Sequence, residues 1–458
     1  MRKNPFILWI CMMAAGALAC TLTSTDMPPT IVPRQTAVPP PTIGYATLAP
    51  TLLPDDVTPP PIAIPSDPDM LNLMNEVEAD RLMIHVRAMV GVQTRHINSP
   101  QNRPGYGIGA ARDYIQAQFE QVQAETQGNL YVFPHQFIVD WNGVRTQQTN
   151  IVAIVQGDTA NAGVIIVGAH YDSRNDDLDD AVGAAYGAND NGSGIAALME
   201  LARILAKRPH RATLMFVAFS GEEEGRKGST AFVQEYVQRN NLDVRLYINL
   251  DAVGSQIYAD GRVDDRRMRV FSKGPNDSSR SRQMARLANL IAFNYVPEME
   301  ILVQDAYDRD GRYGDHFSFE EAGYPAIRLM EMAENSAYLD SSDVLTSTNP
   351  HPSYLQRSTQ TMLVLINAMA DSLTPPRNIS LRDNGNGTRT LIWEPIPNAT
   401  GYLVALRQPN SMIYQQFETN DTSVTWDGFT PTNFTAVAVG AKNENGIVGM
   451  LSDEWVIR

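Results

Sequence analysis

Between about residues 72 and 373, short apolar runs alternate with stretches of helical spacing. The runs Asn150–Val155, Gly163–Gly168, Ala212–Phe219, Arg245–Leu250 and Ala326–Met330 are five to eight residues long, the length of buried strands rather than helices. After Gly194 the apolar residues fall at Ile195, Leu198, Met199, Ala202 and Leu205. That i, i+3, i+4 spacing predicts a helix with one buried stripe. A further helix is predicted from about Ser353 to Leu373, stopped by Pro375 and Pro376. Alternation of this kind predicts an α/β fold with a mostly parallel mixed sheet flanked by helices. In such sheets ligands bind beyond the carboxyl ends of the strands, so the residues just after each run are the first to inspect.

Helical periodicity stops after Pro376. Short β-rich runs take its place at Thr390–Trp393, Gly401–Arg407, Ser423–Trp426, Phe434–Gly440 and Glu454–Ile457. They predict a small all-β sandwich over residues 375–458, similar to a fibronectin type III module in its Leu391-Ile392-Trp393 and Gly401-Tyr402-Leu403-Val404 runs. At the other end, Arg2 and Lys3 precede an apolar run of 13 residues, Phe6–Leu18. This is short for a bilayer core of about 30 Å and fits a secretory signal. It ends in Ala17-Leu18-Ala19-Cys20, which resembles a bacterial lipobox. That resemblance implies a signal over 1–20, a lipid on Cys20 and an exported, outward-facing lipoprotein of the bacterial cell membrane. An ordinary cleaved signal and an uncleaved anchor are the alternatives. Residues 21–70 hold 13 Pro and 9 Thr and predict an extended linker, leaving 71–374 for the α/β domain.

Composition narrows the chemistry. A hydrophobic content of 43% suits a globular protein, and a formal charge of −15 argues against nucleic acid as a partner. The two cysteines, Cys11 and Cys20, both lie in the predicted signal, which excludes a disulfide scaffold and a cysteine-based zinc finger.

Four predicted strand or helix ends carry groups able to hold a metal. His170 and Asp172 follow the second run, Asp190 precedes the helix that begins near Gly194, Glu222 and Glu223 follow Phe219, and Asp251 follows Leu250. Each has an ordinary alternative: a surface pair, a helix cap, a solvated charge run, a strand-end cap. Together they predict convergence on one edge of the sheet.

These motifs resemble the zinc-dependent aminopeptidases with two adjacent metals, a family that includes bacterial leucyl aminopeptidase, glutamate carboxypeptidase and glutaminyl cyclase. The resemblance spans about residues 75–373. It rests on His170-Tyr171-Asp172, Gly187-Ala188-Asn189-Asp190-Asn191-Gly192-Ser193-Gly194, Glu222-Glu223-Glu224-Gly225 running to Gly228-Ser229, and Asn249-Leu250-Asp251. The later Gly314-Asp315-His316-Phe317 is also similar. It implies that His170, Asp190 and Asp251 bind one zinc, that Asp190 bridges to a second, and that Glu223 binds the second. It further implies that Asp172 orients His170 and that Glu222 is the general base. His316 is implied to be a rim or structural residue.

One element of the pattern departs. The family has a further His ligand before its last helix, and here Tyr338-Leu339-Asp340-Ser341-Ser342-Asp343 occupies that region. Aligned on Asp343 the position is Leu339, which cannot bind metal; aligned from Glu331 it is nearer Asp340, which can. Asp340 is therefore the expected substitute, with His351 or no replacement as the alternatives, and the second site is expected to be weak or to hold another divalent ion. The implied activity is removal of N-terminal residues from peptides with a free amino terminus, by water activated at the metals with Glu222 as base. A catalytically impaired binding protein on the same fold, or a glutaminyl cyclase, are the rival readings.

Overall fold

A computed structural model of the chain describes residues 68–272 and 278–458. The predicted signal with Cys20 and residues 21–67 of the predicted linker lie outside these residues. Among the described residues, no helix is long and apolar enough to cross a membrane.

Three helices lead into the sheet: α1 (Pro68–Asn75), α2 (Ala79–Gly91) and α3 (Ile108–Glu125). Helix α2 buries Leu82, Met83, Val86 and Met89, the single-sided stripe of a surface helix. A long hairpin follows, β1 (Leu130–Trp141) and β2 (Val144–Val155). Its two-residue turn is Asn142-Gly143, both at positive φ, the Asn-Gly chemistry that matches the twist of paired strands. The chain then alternates: β3 (Val164–His170), α4 (Gly192–Leu205), β4 (Thr213–Phe219), α5 (Lys227–Phe232) and β5 (Val244–Leu250). After β6 (Arg267–Phe271) come α6 (Arg280–Tyr295), β7 (Glu300–Val303), α7 (His316–Glu321), β8 (Ala326–Glu331) and α8 (Pro352–Ala370).

The eight strands form one mixed sheet in the order β1-β2-β4-β3-β5-β8-β6-β7. Its centre, β4-β3-β5-β8, is parallel, as the apolar runs predict; β2 and β6 flank it antiparallel. Helix α4 lies against β3, β4 and β5 and is covered by α2, α3 and α8. Nearly all of its residues are therefore buried. The one carboxylate in its middle, Glu200, is fully buried and is held by the Arg203 guanidinium at 2.8 Å.

The remaining strands are β9 (Ser380–Asp383), β10 (Arg389–Ile392), β11 (Gly401–Arg407), β12 (Gln415–Thr419), β13 (Ser423–Trp426), β14 (Ala436–Lys442) and β15 (Trp455–Val456). They form two antiparallel sheets, β13-β10-β9 and β12-β11-β14-β15. Their shared core holds Leu391, Trp393, Val404, Leu406, Phe417 and Phe434. The alternate residues of β11 and β14, Leu403, Ala405 and Ala438, belong instead to the core of the α/β part. Strand β11 is thus buried on both faces, and the sandwich shares one compact unit with the large sheet. The Tyr295 hydroxyl at the end of α6 accepts from Val448 N at 2.9 Å across this seam, and the buried side chain of Glu454 is gripped by Arg407, Tyr414 and Arg286.

Candidate metal centre

Parallel pairing makes the carboxyl ends of β3, β4, β5 and β8 level. His170 is opposite Phe219, Gly168 is opposite Asn249, and Asn249 is opposite Arg328. His170, Glu222, Glu223 and Asp251 therefore emerge along one edge. Asp190 reaches the same edge from the turn that opens α4. Asn191 is the cap of that helix: its Oδ1 accepts from Gly194 N at 3.0 Å, and its Nδ2 donates to Leu250 O at 2.8 Å. With Asn191 doing the capping and tying α4 to the end of β5, Asp190 is left to face His170. The glycines of this turn serve that close approach. A Cβ on Gly194 would lie 2.5 Å from Leu250 O.

His170 is buried, and its Nε2 lies 3.2 Å from Asp190 Oδ1 and 3.7 Å from Asp251 Oδ1. One ligand atom from each of these residues falls within 4.8 Å of the others. Donors about 2 Å from a tetrahedral ion stand a little over 3 Å apart, so this trio is scaled to hold one. Asp190 Oδ1 is buried with no hydrogen-bond partner. A buried carboxylate oxygen without a donor is costly unless a cation faces it. A second trio, His170, Glu222 and Glu223, meets the same distance limit and shares the same imidazole.

The field at this edge favours positive charge. Burial alone would keep His170 neutral, yet Glu222 together with Asp172, Asp190 and Asp251 raises its pKa well above the usual value. Glu222 is half-buried, and removal from water, reinforced by Glu223, Asp251 and Asp315 against the pull of His170, pushes its carboxyl well above the ordinary range. Burial and the nearby Asp190 push Glu223 up to about 8, with Arg174 opposing. Asp251 behaves oppositely. Burial works against its charge, but the Arg328 guanidinium, 3.1 Å from its Oδ1, keeps its pKa below the usual value.

Each of these side chains is braced from elsewhere in the chain. Asp172 Oδ2 accepts from Glu223 N at 3.0 Å and so fixes the loop bearing both glutamates. The expected orientation of His170 by Asp172 takes a different form. The Nδ1 hydrogen bond goes to the Asp172 carbonyl oxygen at 3.3 Å, while the carboxylate, already engaged with the Glu223 loop, stands 3.6 Å away. Asp343 accepts from Asn189 N and Asp190 N, the latter at 2.7 Å, and Glu331 accepts from the Asn189 side chain at 2.9 Å. These two carboxylates hold the Asp190 turn. Arg95 is buried and donates to Tyr171 O at 2.6 Å and Gly187 O at 3.0 Å, pinning the end of β3 to the same turn. Arg328 joins Asp251 to Asp308, 2.8 Å away. No local spacing marks Arg95, Arg174 or Arg328 as parts of the site, because a lone charged residue reads the same whether solvated or buried.

Asp340, expected to replace the missing histidine, is in neither trio. Its Oδ1 accepts from Arg174 Nε at 2.8 Å instead. The guanidinium satisfies the carboxylate that the metal was expected to use. His351 precedes α8 and is likewise in neither trio. His316 is fully buried at the start of α7, with Nε2 3.1 Å from Tyr307 O, in keeping with a structural role.

The profile of peptidase family M28 matches residues 150–366. A probable zinc metalloprotease of Leptosphaeria maculans is 35% identical over 284 residues, which cover 57% of this chain and 65% of that protein. Another, from Pyrenophora tritici-repentis, is 32% identical over 298 residues, covering 59% and 67%. The chain thus spans about two thirds of the length of these curated relatives. Among solved structures, the LapA aminopeptidase of Legionella pneumophila superposes with a TM-score of 0.54 at 20% identity, over 71% of this chain and 78% of that one. LapB of the same organism gives 0.52 at 18%, over 68% and 77%. At these identities the two likenesses bear on the fold. The matched stretch opens in β2 and closes in α8, so it carries His170, Asp190, Glu222, Glu223 and Asp251 together with the strands that level them, and the chain belongs to peptidase family M28.

Proposed function

We propose that this chain is a zinc-dependent aminopeptidase acting on peptides with a free amino terminus. The observation that carries this reading is the trio of His170 Nε2, Asp190 Oδ1 and Asp251 Oδ1 with Glu222 beside it. One imidazole and two carboxylates suit zinc, and the relatives' names point to the same ion. A bound zinc ion supplies a Lewis acid for the scissile carbonyl. The chain's own residues do the rest. Glu222 clusters with His170 at the same edge, which suits a group that takes a proton from water and returns it to the leaving amine. Asp172 holds the Glu222–Glu223 loop in place, and Asp343 holds the Asp190 turn.

The test is hydrolysis of aminoacyl chromogenic substrates by the native chain and by Glu222→Gln, with zinc content measured in both. Glu222→Gln is expected to keep its zinc and lose turnover by roughly 10²-fold or more, the scale of general-base effects. Native-level turnover in the variant refutes the role of Glu222. A native chain that binds zinc and hydrolyses nothing, with or without chelator, refutes the aminopeptidase reading and leaves a binding protein.

A further inference from the structure

Arg174 follows His170 by four residues, at the start of the segment that leaves β3. Its Nε lies 2.8 Å from Asp340 Oδ1 and 3.3 Å from Glu223 Oε2. One guanidinium therefore spans the two carboxylates that the sequence pattern assigned to a second metal. The donors that remain do not make a second site. Among the described residues, the two trios able to hold a cation both depend on His170. Its Nε2 faces Asp190 and Asp251, while its Nδ1 is engaged with the Asp172 carbonyl, so the imidazole has one nitrogen to offer. Leu339 carries no donor, and Asp340 already has a cationic partner. A second ion does not fit this arrangement.

We propose that the centre takes a single divalent cation, on His170, Asp190 and Asp251, and that the Arg174 guanidinium is its second positive charge. Glu223 and Asp340 then anchor Arg174 and do not ligate metal. The charge balance supports this. Glu223 Oε2 and Asp340 Oδ1 stand 3.3 and 2.8 Å from the same guanidinium nitrogen, so one positive charge faces both carboxylates. A guanidinium is permanently charged and cannot be removed by a chelator. It also has no open coordination position, so it compensates the carboxylates without offering a second place for water or substrate to bind as a ligand. The spacing of Arg174 and Asp340, 166 residues apart in sequence, means that only folding brings this pair together.

The inference rests on the metal reading of the His170 trio and not on peptide hydrolysis. The experiment is equilibrium dialysis of the full chain against zinc, followed by metal counting, with circular dichroism to verify folding of each protein. The native chain is expected to hold one equivalent. Arg174→Met keeps the side-chain length and removes the charge. It frees Glu223, Asp340 and Asp190 to act together and is expected to hold two. Glu223→Gln, in which Arg174 keeps Asp340, is expected to hold one. Two equivalents in the native chain, none in the native chain, one in folded Arg174→Met, or loss of zinc from Glu223→Gln would each overturn the proposal. A native chain with one equivalent and no aminopeptidase activity refutes the proposed function and leaves this inference standing; an active chain with two equivalents does the reverse.

Discussion

Arg328 offers a quantitative test of how the centre is built. It projects from β8 beside the end of β5, is 1% exposed, and lies 3.1 Å from Asp251 Oδ1 and 2.8 Å from Asp308 Oδ2. Arg328→Met keeps much of the stem volume and deletes the charge. At an effective dielectric constant of about 20, a pair at this separation interacts by about 5 kcal/mol. The desolvation of the arginine offsets part of that, and breaking a buried pair from one side costs about 3–5 kcal/mol. Asp308 keeps bonds from Arg309 N at 2.6 Å and Gly314 N at 3.2 Å, so most of the loss falls on Asp251. Unfolding entropy of about 2 cal/mol/K per residue over a unit of this size turns about 4 kcal/mol into a fall of about 5 °C in Tm. The assay is differential scanning calorimetry in chelator and in excess zinc. In chelator the full fall is expected. In zinc the fall is expected to shrink, because the ion gives Asp251 the counter-charge that Arg328 no longer supplies, and Asp251 without its arginine is the stronger ligand. Arg328→Lys, which keeps charge but loses the fork, should lie between the two. A fall of less than about 1 °C in chelator, or the same fall with and without zinc, refutes the reasoning.

Two further outcomes follow from the packing. Burial first, then the Arg81 and Arg203 charges, lower the pKa of His85 to about 4, and its Nδ1 meets Tyr114 Oη at 2.8 Å. The folded state keeps it neutral while the unfolded chain takes up a proton below about pH 6.5. Stability is therefore complete above that pH and falls as pH drops toward 4, by about 2 kcal/mol between pH 7 and pH 5. Urea titrations should show that increment in the native chain and not in His85→Gln; an equal loss in both proteins would assign it elsewhere. Gly194→Ala places a methyl group 2.5 Å from Leu250 O and against Asn191 Oδ1, which prises the start of α4 from the end of β5. Overpacking of this kind costs about 1–3 kcal/mol, and here it also separates Asp190 from Asp251, so Tm and zinc affinity should fall together. Unchanged zinc affinity in that variant would show that α4 does not set the spacing of the two ligands.

The sequence by itself determined the strands that carry the centre. The predicted runs Gly163–Gly168, Ala212–Phe219 and Ala326–Met330 fall on β3, β4 and β8, and the predicted Arg245–Leu250 differs from the observed β5 by one residue. The reason is local: a strand buried on both faces is an unbroken apolar run, and the polar residue that ends it is visible without knowing its neighbours. His170, Glu222, Glu223 and Asp251 each end or follow such a run, and parallel pairing does the gathering. The β1–β2 hairpin was hidden because much of β1 alternates exposed and buried positions with few apolar runs to mark it. The seating of the sandwich on α6 was hidden because Leu403 and Val404 look equally apolar in the chain, yet they face different cores.

Only the tertiary structure decided what each charged side chain faces. Asp340 is a carboxylate in sequence; in the fold it is a partner of Arg174. Asp343 is another carboxylate three residues on; in the fold it holds the backbone of Asp190. Periodicity records which side of an element is dry, because burial repeats with the backbone. It records nothing about the pairing of charges, because an ion pair depends on the distance between two atoms, and that distance is set by every element packed between them.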